Sequence, residues 1–179
     1  MENRLDEHIK ICFLTATIFE WKPLLKPDKY KKLIVESFDF LVSNNRVKIY
    51  AFVIMPNHIH LLLKVIPPWK LADVQRDFMK FTGQQIKFDL IKHHPKVLEY
   101  FRVDLRDRQY QFWQRSSLAK LLDDRKIIEE KLDYIHNNPV QKKWLLADSP
   151  VEYHFSSYRF YEEGESDFQF LTHYMEYFE

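Results

Sequence analysis

VKIYAFVIM (Val47–Met55), the pair Pro56-Asn57 and HIHLLLKVI (His58–Ile66) form the stretch that decides the fold. Each run is strand-like in composition, and the two residues between them predict a hairpin. Residues two apart in a strand share a face, so His58 and His60 project together. Ile59, Leu61, Leu63 and Val65 project the opposite way, onto the face that helices would bury. The two imidazoles stand near the start of their strand at a spacing that lets both reach one cation. The same spacing suits two half-buried histidines without a ligand. Barrel hydrolases also carry His-x-His on a strand, but such barrels need about 250 residues, and this chain has 179.

Upstream of the hairpin, ICFLTATIF (Ile11–Phe19) is β-branched and aromatic and predicts a first strand. Tyr30, Leu33, Ile34, Phe38, Leu41 and Val42 then recur at helical spacing, with Asp28 placed to cap the start and Asn44-Asn45 to end the helix. Downstream, Pro67-Pro68 stops the strand, and Leu71, Val74, Phe78 and Phe81 mark a second helix. The charged connection His93–Arg108 follows, in which the offset charges of Arg102–Arg108 read as a solvated loop. Gln109–Ser117 alternates and predicts a fourth strand, and Leu118–Asn138 predicts a helix stopped by Pro139. The order β-α-β-β-α-β plus a further helix predicts an α+β fold of the ferredoxin-like type. Its antiparallel sheet would carry helices on one face. Residues 1–179 are expected to form one domain, with 150–179 an aromatic-rich extension packed over it.

Composition narrows the function classes. Only two glycines occur, which argues against glycine-rich phosphate loops. A lone cysteine, Cys12, excludes an internal disulfide and predicts a buried thiol in a reducing compartment. The charged start MENRLDEHIK has no apolar signal core, and no apolar run is long enough to span a membrane, so a cytoplasmic location is expected. The net charge of +1 neither announces nor excludes nucleic acid.

The segment KLDYIHNNPV (Lys131–Val140) is the second informative one. On a helix, Ile128, Leu132 and Ile135 form an apolar docking stripe. Tyr134 and Asn138 are four apart and share a face, whereas His136 points away from them. A tyrosine half-buried for packing at a helix end has the same pattern, and ten tyrosines are present.

PNHIHL (Pro56–Leu61), FWQR (Phe112–Arg115), YIHNNPV (Tyr134–Val140) and FSSY (Phe155–Tyr158) occur in this order and spacing. Together they resemble the REP-associated tyrosine transposases, a branch of the single-tyrosine HUH transposases, over about Ile11 to Tyr161. The resemblance implies that His58, His60 and Asn138 bind a divalent metal, Mg²⁺ or Mn²⁺. It implies Tyr134 as the nucleophile that cuts and rejoins single-stranded or hairpin DNA through a 5′-phosphotyrosine. It also implies a homodimer joined through sheet edges, and Gln109–Ser117 lacks the proline or glycine that would protect such an edge. The chain departs from the pattern at Ser116-Ser117-Leu118 and at Gln141, positions that bear on DNA contacts. Trp144 with Lys142 and Lys143, and Tyr158 with Arg159, pair aromatics with cations as base-stacking surfaces do. Two other function classes fit the same residues: a non-catalytic single-stranded nucleic-acid binder, and a metal phosphodiesterase that uses water.

Overall fold

The computed structural model describes residues 6–164 and 166–179. Four strands, β1 (Ile11–Thr17), β2 (Val47–Ile54), β3 (His58–Val65) and β4 (Leu118–Leu122), form a sheet in the order β2-β3-β1-β4. Every neighbouring pair is antiparallel. Helices α1 (Asp28–Ser43) and α2 (Leu71–His93) cover one face, and α3 (Arg125–Asn137) covers the other.

The central strand β3 is buried on both sides. Ile59, Leu61, Leu63 and Val65 pack with Ile34 and Phe38 of α1 and Val74 and Phe78 of α2. Leu62 packs with Ile128, Leu132 and Ile135 of α3. Those three α3 side chains are the predicted docking stripe, each worth about 1.5–3 kcal/mol once buried. β2 is buried likewise, but a bulge between Ile49 and Ala51 resets its phase. Tyr50 and Ala51 therefore both face α3, and Phe52 returns to the α1–α2 side.

Local chemistry explains the boundaries. α1 ends where Asn45 takes a left-handed conformation (φ 53°), with Arg46 N–H donating to Leu41 O and Asn45 N–H to Val42 O. This double closure is the reason for Asn44-Asn45. Asp28 is not the cap: Pro27 occupies that position, and the Asp28 carboxylate pairs with Lys31 at 2.9 Å. Along α2 the buried line runs through Val74, Phe78, Thr82, Ile86 and Leu90, leaving Phe81 exposed.

The fourth strand lies later than predicted. Gln111, Phe112 and Trp113 are buried consecutively, which a one-sided strand cannot do. They form a strap whose Trp113 indole donates to Thr82 Oγ1 (3.0 Å) on α2. Leu118–Leu122, predicted as helix, instead pairs with Ile11–Thr15. The open edge of β1 overrides the helical propensity of this run. α3 begins only at Arg125, where the Asp124 carboxylate accepts Ile127 N–H at 3.0 Å. Arg102–Arg108 is a small exposed two-stranded ribbon, Arg102–Leu105 with Arg108–Tyr110, in place of the predicted loop.

The aromatic tail closes the outer edge of β2. Ile54 N–H donates to Phe155 O, Ser157 N–H to Phe52 O, and Thr172 N–H to Ile49 O. Phe168 and Phe170 insert beside Phe38 and Phe52. Tyr161 donates to the Tyr50 carbonyl at the bulge (2.7 Å). His136 ties α3 to this tail, its Nε2 lying 2.9 Å from the Ser157 hydroxyl, which accepts Phe52 N–H.

Burial lowers the His136 pKa to about 4 from its ordinary 6.5. Between those values the unfolded chain holds more protons than the folded one, so stability falls as pH drops through the window from 6.5 to about 4. Thermal midpoints measured across that window should decline with acid, and His136→Asn should flatten part of the slope. An unaltered slope in the variant would show that His136 is not the buried neutral ring described.

Candidate functional site

Register places the histidines. His60 lies opposite Thr15 and His58 opposite Thr17, so β1 and β3 hold the pair rigidly on the α3 side of the sheet. Their ring centroids are 4.7 Å apart. His58 Nδ1–H donates to Asn57 Oδ1 (2.7 Å), and Asn57 Nδ2 donates to Trp21 O (3.1 Å), which fixes the carboxamide orientation. This leaves the His58 Nε2 lone pair available. His60 Nδ1 lies 2.8 Å from Thr15 Oγ1, and its Nε2 is buried with no hydrogen-bond partner.

The third ligand expected from the sequence is brought to the same place. Asn138 follows α3 directly, with helical φ −56° and ψ −46° despite the next residue being Pro139. Its side chain therefore keeps the helical direction, one turn beyond Tyr134. Asn138 is 1% exposed, and its Oδ1 also lacks a hydrogen-bond partner. The carboxamide nevertheless lies near enough to His58 to favour its cationic form, against burial and Lys143. A buried polar atom left unpaired costs about 1–3 kcal/mol, so two in one pocket suit an atom that both could bind. His58 Nε2, His60 Nε2 and Asn138 Oδ1 are the atoms that could hold a divalent cation there. Among the described residues no trio of His, Cys, Asp or Glu offers another such site.

Electrostatics keep the imidazoles neutral. Burial, then the Lys143 charge, pushes His58 down to about 4. Burial, then His58, Lys131 and Lys143, pushes His60 down to about 3. Neutral imidazole is the ligating form.

Tyr134 lies beside this pocket at 40% exposure. Its ring stands edge-on to His60 (5.2 Å) and to Phe13 (6.2 Å). The tyrosine therefore sits over a histidine of its own chain. Lys131, one turn before it, places Nζ 5.6 Å from the Tyr134 ring centre and 4.9 Å from that of Phe13. Rival tyrosines are occupied elsewhere: Tyr153 donates to Ile54 O and Tyr161 to Tyr50 O, and burial raises both pKa values. Tyr158 packs edge-on to His136, and Arg159 donates to Val151 O, so that pairing serves packing.

Several site residues escaped the sequence reading. Thr15 and Asn57 orient the two imidazoles, yet Thr15 becomes visible only when the β1–β3 register is known. Trp21 and Trp144 flank His58 at 6.0 and 5.6 Å. Trp144 had stood out only as an aromatic beside two lysines, and Lys143 Nζ does lie 5.6 Å from its ring. Glu20, Trp21 and Leu145 take left-handed φ values of 55°, 57° and 44°. Non-glycine residues there cost about 1–3 kcal/mol each and gather at binding sites.

Three comparisons with known proteins bear on this arrangement. An uncharacterised protein of Haemophilus influenzae is 29% identical over 103 residues, 53% of this chain and 56% of that one. The chain thus matches little more than half the length of that relative. The solved structure of a REP-associated tyrosine transposase bound to a REP hairpin superposes with a TM-score of 0.64 at 18% identity, covering 88% of this chain and 82% of that one. That likeness concerns the fold. The family model described as "Transposase IS200 like" matches residues 20–138, the span from Glu20 through His58, His60 and Tyr134 to Asn138. The chain belongs to the IS200-like transposase family.

Proposed function

We propose that this protein cuts and rejoins single-stranded DNA through a covalent tyrosine link, at the pocket of His58, His60, Asn138 and Tyr134. One observation carries the reading: two buried, unpartnered polar atoms, on β3 and on the residue that follows α3, lie beside an exposed tyrosine of that helix. Family membership supports DNA transposition or processing as the setting, and the hairpin bound by the structural relative favours hairpin-bearing DNA as partner.

The ligand set would hold Mn²⁺ or Mg²⁺, and its two imidazoles favour Mn²⁺ on softness grounds. When bound, such a cation draws charge from a phosphate oxygen and orients the phosphate. The chain's own groups do the rest. The Tyr134 oxygen attacks phosphorus, the Tyr134 O–P bond forms, and the P–O3′ bond breaks. The departing 3′ oxygen takes up a proton as the phenol loses one. The Lys131 ammonium lies beside the Tyr134 ring, where its charge would attract the phosphate brought to the pocket. Because the new ester conserves the diester bond energy, the 3′-hydroxyl can reverse the step and reseal the strand without ATP.

Gln109–Ser117, the edge expected from the sequence, is not a strand of the sheet, and the tail occupies the outer edge of β2, which leaves the edge of β4. Among the described residues β4 has a partner on one side alone, and its Leu118 is 75% exposed. We place the homodimer contact there. Sedimentation at about 10–100 μM should show a dimer, and a 22 kDa monomer throughout that range would remove this part of the proposal.

Titration calorimetry with Mn²⁺ should show one site in the wild type and none in His58→Ala or His60→Ala. Unchanged Mn²⁺ affinity in both variants would refute the ligand assignment. Tyr134→Phe should retain Mn²⁺ and DNA binding yet form no covalent adduct with a labelled single-stranded oligonucleotide on a denaturing gel. Cleavage that persists in Tyr134→Phe without an adduct would identify water as the nucleophile, and an adduct mapped to another tyrosine would reject Tyr134.

A further inference from the structure

Five buried side-chain nitrogen or oxygen atoms lack a hydrogen-bond partner among the described residues, and three of them belong to the pocket. His60 Nε2 and Asn138 Oδ1 bring lone pairs, which suit a cation. The third, Trp144 Nε1, brings a hydrogen. An N–H cannot ligate a metal, so this donor calls for a different atom from the two acceptors. A buried donor left unpaired carries a penalty unless an acceptor arrives. Trp21, the other indole beside His58, is 56% exposed and so meets water.

The chain around Trp144 holds it in one place. After Pro139 the backbone folds back on itself: Trp144 N–H (2.8 Å) and Leu145 N–H (3.0 Å) both donate to Gln141 O, and Leu146 N–H donates to Pro139 O (2.9 Å). This turn drives Leu145 into the left-handed region (φ 44°) and leaves its side chain exposed. The half-buried Trp144 ring packs on the cluster that docks α3 to the sheet. A strained turn that presents an unpaired donor is a poor arrangement for packing alone.

The place of Trp144 relative to Tyr134 indicates what the donor serves. Tyr134 stands against His60 (5.2 Å) and Trp144 against His58 (5.6 Å), with the two imidazoles 4.7 Å apart. Asn138, between them in the chain, lies beside His58. The segment therefore advances from the His60 end of the pocket at Tyr134 to the His58 end at Trp144. Displacement at phosphorus sets the attacking and leaving oxygens roughly in line. A phosphate attacked by Tyr134 from the His60 end expels its 3′ oxygen toward the His58 end. Lys143, with Nζ 5.6 Å from the Trp144 ring centre, adds positive charge there.

Resting on the reading given under Proposed function, we infer that Trp144 is a catalytic residue whose indole N–H binds the 3′ oxygen as it leaves phosphorus. As the Tyr134 O–P bond forms, the electron pair of the P–O3′ bond passes to the 3′ oxygen. Trp144 donates to that growing negative charge and keeps its own hydrogen, since indole is a donor and not an acid here. The oxygen ends as a hydroxyl with the proton that the phenol has lost. On resealing, the same N–H holds the 3′-hydroxyl by one lone pair while another faces phosphorus. Loss of such a donor slows cutting and resealing together.

The test uses the full chain with Mn²⁺ and two single-stranded oligonucleotides that differ at the linkage the wild type cuts. One has the ordinary bridging 3′ oxygen, and the other has sulfur in its place. A thiolate leaves without help from a donor, because a thiol is far more acidic than an alcohol (pKa about 8.5 for the cysteine thiol). Trp144→Phe should slow adduct formation on the oxygen linkage by roughly a hundredfold at saturating DNA. Its affinities for Mn²⁺ and DNA should match wild type, and on the sulfur linkage it should keep pace with wild type. Benzothienylalanine in place of Trp144 keeps the bicyclic ring and removes the N–H, and should behave as Trp144→Phe does. Wild-type rates on the oxygen linkage in both variants would overturn the inference. Equal slowing on both linkages would overturn it as well, since a packing role does not distinguish the leaving atom. A wild type that forms no adduct with either oligonucleotide would instead strike the nuclease reading, and this inference with it.

Discussion

The burial of β3 on both faces is the constraint on which the rest of the structure depends. Ile59, Leu61, Leu63 and Val65 require two helices above the sheet, and Leu62 requires one below it. A strand enclosed in this way has no choice of register, because a slip of one residue would exchange its two faces. His58 and His60 stand on the α3 side of this fixed strand. They are held there by Thr15 and Asn57, and the closing of α3 makes their surroundings dry. The dryness is what keeps both rings neutral and leaves His60 Nε2 without a partner.

Much of this was legible in the sequence because alternation and helical spacing are local signals. Val47–Ile66 reads as two strands, the opposite faces of His58 and Ile59 follow from the period of two, and the α3 stripe of Ile128, Leu132 and Ile135 follows from 3.6. The errors fall where tertiary demand outweighs local preference. Leu118–Leu122 looks helical, but the unpaired edge of β1 makes it a strand. Phe112 and Trp113 look like alternate members of a strand, yet the gap beside α2 takes both. Phe81 continues an apparent helical stripe that the neighbouring buried line through Thr82 displaces.

The candidate site divides along the same lines. Two histidines at a spacing of two, and a tyrosine four before an asparagine, are local patterns and could be placed without coordinates. Thr15, Trp21, Lys131 and Trp144 reach the pocket from four separate parts of the chain. Nothing near Trp21 in the sequence announces two successive left-handed residues, and nothing near Leu145 announces a third. The tail was legible only as aromatic, since its backbone and side-chain bonds to β2 are made singly to a partner far away in the chain.

The proposed metal site and the proposed nucleophile make opposed demands, and α3 suits both. Ligand nitrogens and oxygens need exclusion from water, or their lone pairs are spent on solvent; a nucleophile needs access for a polymer that cannot enter a closed cavity. Tyr134 at 40% exposure and Asn138 at 1% lie one turn apart on a single face. The helix therefore runs from the rim of the pocket into the interior over about 6 Å of its axis. The buried stripe behind it and the His136–Ser157 contact at its last turn hold this descent in place. Extension of helical geometry through Asn138, one residue before proline, is what lets a single element present an open phenol and a dry carboxamide together.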